Sequence, residues 1–305
     1  MRILVSGSTG FLGTALVETL KGQGDTIARL VRPATARRNV ADAREQTVAW
    51  DPVGGQFDAA AAEGAEALVH LAGASIAGGR WSAGRKELLR TSRIDATRHL
   101  FAALAKLQRP PRVIVAASAI GYYGNRGEET LTEASAPGND FLSGLCREWE
   151  AETARGAAFG ARVVNLRFGI ILAAQGGALP RMAMPFQFGA GGRLGDGRQW
   201  MSWLTLKEAT SMVQFSLASS GLSGPVNAVT PTPVRNSEFT SALAKALRRP
   251  ALFPAPRFAL RLALGEMADA LLFASQRVLP SKLADSGYPF LQPNLAGAFA
   301  EVFHR

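Results

Sequence analysis

One cysteine, three histidines and three tyrosines are all that the 305 residues hold of those types. A lone thiol, Cys146, excludes an internal disulfide framework and any multi-cysteine metal site. His70, His99 and His304 are scattered, with no carboxylate at metal-ligand spacing, so no metal centre is expected. Long apolar runs are missing too. Nothing reaches the roughly 18 uninterrupted apolar residues of a membrane helix. The most apolar late segment, 260–273, is broken by Arg261, Glu266 and Asp269. The opening Met1-Arg2-Ile3-Leu4-Val5-Ser6 is too short for a signal peptide, so a cytoplasmic chain without membrane contact is expected. Acids are outnumbered, 24 against 34 Lys plus Arg, for a net charge of +10. The basic residues are spread along the chain rather than gathered in one stripe, which argues against a nucleic-acid partner.

What is present is a chain that can bury a core. Its 47% hydrophobic content excludes disorder. Its length suits one large α/β domain, or a domain and a half. Residues 2–6 read as a buried strand. Phe11, Leu12, Ala15, Leu16, Thr19 and Leu20 then fall at helical spacing, and Gly22 and Gly24 end the helix. Further strands are expected at 26–31, 46–50, 67–71, 112–117, 162–168 and 224–228. Helices are expected at 85–107, 140–155, 205–217 and 236–247, the last capped by Asn236 or Ser237. Strands alternating with helices predict a Rossmann-type, doubly wound parallel sheet. The rhythm changes after Gly169, where 173–197 reads as loop. Residues 1–170 and 203–229 are therefore assigned to the sheet domain. Residues 171–202 and 230–305 are assigned to a smaller C-terminal lobe, with one proline-bounded amphipathic helix late in it. That helix, carrying Phe258, Leu262, Leu271 and Leu272 on one face, packs against the lobe or docks a partner or membrane surface.

Gly7-Ser8-Thr9-Gly10-Phe11-Leu12-Gly13 is G-x-x-G-x-x-G, directly after a strand and opening a helix. Glycines permit the tight turn and close approach to a pyrophosphate, and the helix start supplies free N–H groups. Gly7, Thr9, Gly10, Phe11, Leu12 and Gly13 are thus dinucleotide-binding candidates. The second strand ends in Arg29-Leu30-Val31-Arg32-Pro33, without the acid that usually receives the ribose 2′-hydroxyl of NAD. Arg32 suits a 2′-phosphate instead, with Arg29, Arg37 and Arg38 as helpers, which selects NADP. Asp51 either accepts from the adenine amino group or serves a turn before Pro52. Leu71, Ala72 and Gly73 close the fourth strand with residues that let backbone lie against a ribose. Ala117, on the fifth strand, completes the cofactor set.

These residues resemble the extended short-chain dehydrogenase/reductase superfamily, and more narrowly its atypical epimerase/dehydratase-like branch, some members of which are labelled cell-division inhibitor-like. The resemblance rests on Gly7 to Gly13, Gly79-Arg80-Trp81, Lys86, Thr91-Ser92-Arg93 and Ser118-Ala119-Ile120-Gly121-Tyr122-Tyr123-Gly124. It continues through Arg167-Phe168-Gly169-Ile170-Ile171-Leu172 and Gly197-Arg198-Gln199-Trp200-Met201-Ser202-Trp203. Leu264 to Asp269 and Gln276 to Pro280 resemble the branch's C-terminal extension.

The superfamily implies a Tyr acid/base, a Lys that lowers its pKa, and a Ser or Thr that polarises the substrate carbonyl. Here Phe141 stands where the Tyr belongs and Leu145 where the Lys belongs. Arg93 stands in place of a frequent Asn. Ser118, or Ala119 in a register shifted by one, falls at the Ser/Thr position. Ser118 and Tyr122 are the catalytic candidates. Tyr123 is the alternative tyrosine, and either would have its pKa lowered if it lay near Arg93. Trp81, Trp200, Met201 and Trp203 either wall an apolar pocket or seal the two lobes. The resemblance implies an NADP(H)-dependent oxidoreductase or epimerase-like enzyme acting on a small organic substrate, in a chain that forms a homodimer. The missing dyad equally suits a non-catalytic NADP(H)-binding regulator that signals to a protein partner.

Overall fold

The computed structural model of the chain describes residues 1–36 and 42–303. Seven parallel strands form the central sheet: β1 (Arg2–Ser6), β2 (Thr26–Val31), β3 (Glu45–Ala49), β4 (Ala67–His70), β5 (Val113–Ala119), β6 (Arg162–Phe168) and β7 (Gly224–Ala228). Their spatial order is β7-β6-β5-β4-β1-β2-β3. The chain reverses direction of growth between β1 and β4, and ligands of such sheets bind beyond the carboxyl ends of the strands at that switch. This is the expected Rossmann-type, doubly wound arrangement.

The longer helices among the described residues are α1 (Phe11–Gly22), α2 (Ala83–Thr91), α3 (Ile94–Leu104), α4 (Phe141–Ala154), α5 (Leu179–Gln187), α6 (Leu206–Ala218), α7 (Asn236–Leu247), α8 (Arg257–Leu264) and α9 (Leu295–Val302). Leu16, Val17 and Leu20 of α1 pack with Met212 and Val213 of α6 on one face of the sheet. Leu100, Phe101 and Leu104 of α3 cover the other face, over Leu4, Leu68 and Ile114. Because the central strands are covered on both faces, β1 and β4 read as near-continuous apolar runs, whereas the edge strand β3, Glu-Gln-Thr-Val-Ala, does not.

The smaller lobe has its own core, in which Leu172, Phe186, Trp203, Phe239 and Phe299 meet. Its three-stranded sheet joins Trp203–Thr205 to Ile170–Ala173 and Gly176–Gly177. The strand that begins at Trp203 pairs within this sheet, and the Trp203 ring is buried in the lobe's core.

Three further expectations change. The expected helix over 85–107 is two helices. Arg93 bends the chain between them at φ −111°, ψ −58°, and its guanidinium is drawn inward to backbone carbonyls (below). The segment 173–197 is not all loop, since α5 forms there, with Pro180 in its first turn, where proline is favoured, and despite Pro185 inside it. Helix α7 is capped at Arg235, not at Asn236 or Ser237, with the Glu238 carboxylate accepting from the Arg235 N–H at 2.7 Å. Among the described residues no helix is long and apolar enough to cross a membrane.

Candidate functional site

The glycine loop is folded against itself and against the exit of β4. Gly7 has φ +68°, which L side chains avoid, and a Cβ there would lie 2.8 Å from the Leu71 carbonyl carbon. A Cβ on Gly13 would lie 2.1 Å from the Gly7 carbonyl oxygen. No side chain caps α1, and no acid stands in its first turn. Its first N–H groups and the positive end of its dipole are thus left for an anion. Ser8 Oγ is buried in the same loop without a hydrogen-bond partner among the described residues. Thr9 is exposed at the loop tip. The Phe11 ring lies under the lobe's hairpin, so close that a Cβ on Gly176 would sit 2.5 Å from it. Leu12 packs against the main core. This cradle fits a dinucleotide pyrophosphate.

The two arginines of β2's end do different work. Arg29 is committed: Nε and Nη2 donate to the Glu45 carboxylate at 2.7 and 3.0 Å, and Nη1 reaches the Ser8 carbonyl. Arg29 holds the Glu45 carboxyl below its usual range. Arg32 is exposed, and its guanidinium has no hydrogen-bond or ion-pair partner among the described residues. Arg37 and Arg38 lie outside the described residues, as does His304. Asp51 takes part in a turn, where its Oδ1 accepts from the Val53 N–H at 3.0 Å.

Behind the loop lies a buried polar chain that the sequence reading missed. Ser6 Oγ accepts from the N–H groups of Leu71 and Ala72 at 3.1 and 3.2 Å. It also lies 2.7 Å from His70 Nδ1. With its lone pairs engaged, Ser6 donates to Nδ1, which leaves the ring proton on Nε2, 2.8 Å from Thr97 Oγ1. Trp149 Nε1 donates to the same Thr97 oxygen. Burial pushes the His70 pKa down to about 4, so the ring is neutral. The chain fixes the backbone of Leu71 and Ala72 against the glycine loop. Gly73 follows them, and a Cβ there would meet the Arg93 guanidinium at 3.0 Å.

Arg93 does not approach either tyrosine of the β5 exit. Its Nη1 and Nη2 donate to the carbonyls of Leu89 and Ala74, and its guanidinium sits 5.1 Å over Trp149. Burial pushes its pKa down to about 10. The expectation of a tyrosine activated by Arg93 is therefore corrected, because the tyrosines belong to Arg167.

Parallel register places Ser118 of β5 beside Arg167 of β6, and Arg167 beside Asn227 of β7. The three side chains join one network. Ser118 Oγ donates to Glu150 Oε1 at 2.6 Å. Arg167, 2% exposed, donates to both Glu150 oxygens at 2.8 Å. Its Nη1 donates to Tyr123 Oη at 2.9 Å, and Tyr123 donates to Asn227 Oδ1 at 2.7 Å. Tyr123 is wholly buried, and burial pushes its pKa to about 12, which removes it as an acid/base group near neutrality. Tyr122 is half-buried, with the Arg167 guanidinium 3.4 Å from its ring centre. Ser118 is buried and its proton is engaged, while Ala117 and Ala119 alternate with it toward the more open face. Burial pushes the Cys146 thiol up to about 12, the behaviour of a structural cysteine.

The two dyad positions hold apolar contacts. Phe141 begins α4, which Asp140 caps by accepting from the Ser143 N–H at 2.8 Å. The Phe141 ring packs edge-on against Trp81, and Lys86 Nζ lies 5.1 Å over it. Leu145 is buried with Leu89, Ile94 and Trp149. A cleft of about 250 Å³ opens beside Phe141, between Trp81 and the Arg257–Asp269–Arg261 cluster of the lobe. Of the four residues expected to wall a pocket or seal the lobes, only Trp81 lines this cleft. Met201 and Trp203 are in the lobe's core. Trp200 lies between Arg235 and Arg277, and its Nε1 donates to Glu128.

Glu150 and Asn227 were not singled out from the sequence, and Arg167 appeared only inside a motif. The signal was there: an arginine in the apolar strand Val164 to Phe168 must find a buried partner.

Comparison with known proteins agrees with this geometry. The model of the "NAD dependent epimerase/dehydratase family" matches residues 3–227, and that of a "Domain of unknown function (DUF1731)" matches residues 255–302. Epimerase family protein Mb2239 of Mycobacterium bovis is 41% identical over 288 residues, covering 94% of this chain and 93% of that protein. The crystal structure of human epimerase family protein SDR39U1 (isoform 2) with NADPH superposes with a TM-score of 0.88 at 30% identity, over the whole of both chains. The crystal structure of the nucleoside-diphosphate sugar epimerase from Corynebacterium glutamicum gives 0.78 at 32% identity, over 99% of this chain and 58% of that one.

Proposed function

The chain belongs to the NAD dependent epimerase/dehydratase family, and on that premise we propose that it is an NADP(H)-binding, epimerase-like oxidoreductase acting on a small organic substrate. The observation that carries the cofactor reading is the uncapped start of α1 behind a glycine cradle, with the Arg32 guanidinium left without a partner among the described residues. The human relative crystallised with NADPH supports it. Gly7, Thr9, Gly10, Phe11, Leu12 and Gly13 hold the pyrophosphate, and Arg32 meets the 2′-phosphate. Leu71, Ala72, Gly73 and Ala117 supply the wall along the ribose and nicotinamide. Asp51 is the candidate acceptor for the adenine amino group. Bound NADP(H) supplies or accepts a hydride.

The acid/base work falls to Ser118 and Tyr122. Tyr122, which is half-buried, exchanges the proton with the substrate hydroxyl, and the buried Ser118, donating to Glu150, keeps that carboxylate in place. Arg167 holds that carboxylate with two hydrogen bonds and lies over the Tyr122 ring. The test is a substrate screen that follows nicotinamide absorbance, run on the native chain and on Ser118→Ala. Turnover that falls at least about 100-fold in the variant, with NADPH binding intact, is the expected result. Equal turnover contradicts the role of Ser118.

A second reading is favoured by Phe141 and Leu145, which cannot carry a proton. It is a non-catalytic regulator that binds NADPH and NADP⁺ with different affinity and engages a protein partner accordingly. Equal affinity for the two forms removes that reading.

A further inference from the structure

Helix α8 has no buried residue at all. Phe258 and Leu262, one turn apart on it, are 75% and 79% exposed, and Leu252 and Phe253 just before it are 72% and 62% exposed. The expected packing of this helix face against the lobe is therefore not formed. The patch continues toward the end of α5. The Phe253 N–H donates to the Gly191 carbonyl at 3.0 Å, and Phe188, three residues before Gly191, is 81% exposed. Scattered apolar residues on a surface need no explanation, but a cluster of this kind marks a contact site.

Charge indicates the occupant. From Phe239 to Gly265 there is no acid, while Lys245, Arg248, Arg249, Arg257 and Arg261 are all basic. Arg257 and Arg261 share Asp269, on the inner side. Arg248 and Arg249, where the left-handed Arg248 (φ +55°) turns the chain out of α7, are exposed without an ion pair among the described residues. A second copy of this chain would oppose this basic rim with another basic rim, which is unfavourable in a two-fold contact. An anionic lipid surface meets both features. Apolar side chains enter the acyl boundary, and arginines at the same edge meet the headgroups. We propose that the face carrying Leu252, Phe253, Phe258 and Leu262 docks on an anionic bilayer surface, with Arg248 and Arg249 against the headgroups. This makes the chain a peripheral membrane protein. It also places α8, which walls the cleft through Arg257 and Arg261, next to the lipid.

The experiment is vesicle flotation of the full chain, using phosphatidylcholine alone or with about one-third phosphatidylglycerol. The native chain floats with the anionic vesicles at low salt, and this falls as salt is raised. Phe258→Ser with Leu262→Ser weakens binding about 100-fold. Arg248→Gln with Arg249→Gln weakens it about 20-fold. Both pairs are at exposed positions, and retained NADPH binding or an unchanged circular dichroism spectrum shows that the variants fold. Absence of flotation with anionic vesicles overturns the proposal. So does equal flotation with phosphatidylcholine alone, or flotation that ignores the Phe258/Leu262 pair. A concentration-dependent dimer that the same pair dissolves also overturns it, because the occupant is then a second copy.

Discussion

The two halves of the sheet's carboxyl edge solve different problems with different materials. At β1 and β4 the work is done by backbone: N–H groups at the start of α1, a left-handed Gly7, and a buried Ser6–His70–Thr97 chain that holds the loops together. At β5, β6 and β7 it is done by polar and charged side chains: Ser118, Glu150 and Arg167, with Tyr123 and Asn227 behind them. The first half offers an uncapped helix start and a glycine cradle that fit a dinucleotide. The second carries Phe141 and Leu145 where the resemblance places the tyrosine and lysine of the dyad, with the buried Arg167–Glu150 ion pair beside them. A site made of backbone tolerates no added atom. A site made of side chains can be rebuilt around different residues.

The comparison breaks most sharply at Gly13. Gly13→Ala drives a Cβ into the Gly7 carbonyl. It should abolish measurable NADPH binding in calorimetry and cost about 2–4 kcal/mol in urea unfolding, as overpacking at a fixed backbone does. If Gly13→Ala binds normally, the loop is a packing device and not the cofactor cradle.

Glu150→Ala tests the other half. It leaves Arg167 buried without its carboxylate and should cost about 3–5 kcal/mol of stability. NADPH affinity in the protein that remains folded should stay within about 3-fold of native. A parallel loss of NADPH binding would join the two halves into one unit.

His70 gives a pH signature confined to the first half. Its pKa is about 4 when folded, against 6.5 for the free side chain. Above pH 6.5 both states are neutral and nothing is lost. As pH falls through 6.5 toward 4, only the unfolded state takes the proton, so stability declines. The loss attributable to His70 reaches about 3 kcal/mol. Urea unfolding at pH 7.5 and pH 4.5 should show a smaller difference for His70→Gln than for the native chain. Equal differences would mean that the imidazole is not held neutral.

The same contrast explains what was legible in the sequence. Strands β1, β2, β6 and β7 and helix α7 have the bounds that periodicity predicts, because buried parallel strands and a helix stopped shortly before Pro250 leave local marks. The glycine loop was readable because only glycine fits Gly7 and Gly13. The expected helix over 85–107 failed at Arg93, whose inward turn depends on carbonyls of Ala74 and Leu89 rather than on its neighbours in sequence. Helix α5 was hidden by Pro180 and Pro185. The Ser118–Glu150–Arg167 network joins residues 17 to 49 positions apart, and no spacing rule connects them. Tyr123 reads as a reactive residue only until its burial and its bond to Asn227 are known.

The central claim is that the cofactor half remains a working NADP(H) site. Titrating the native chain and Arg32→Ala with NADPH and NADH, by calorimetry, tests it most directly. The account predicts that the native chain binds NADPH about 10- to 100-fold more tightly than NADH, the value of one charge-assisted contact to a phosphate. It also predicts that Arg32→Ala binds the two alike. No binding of either nucleotide by the native chain, or a preference for NADPH that survives in the variant, would contradict it.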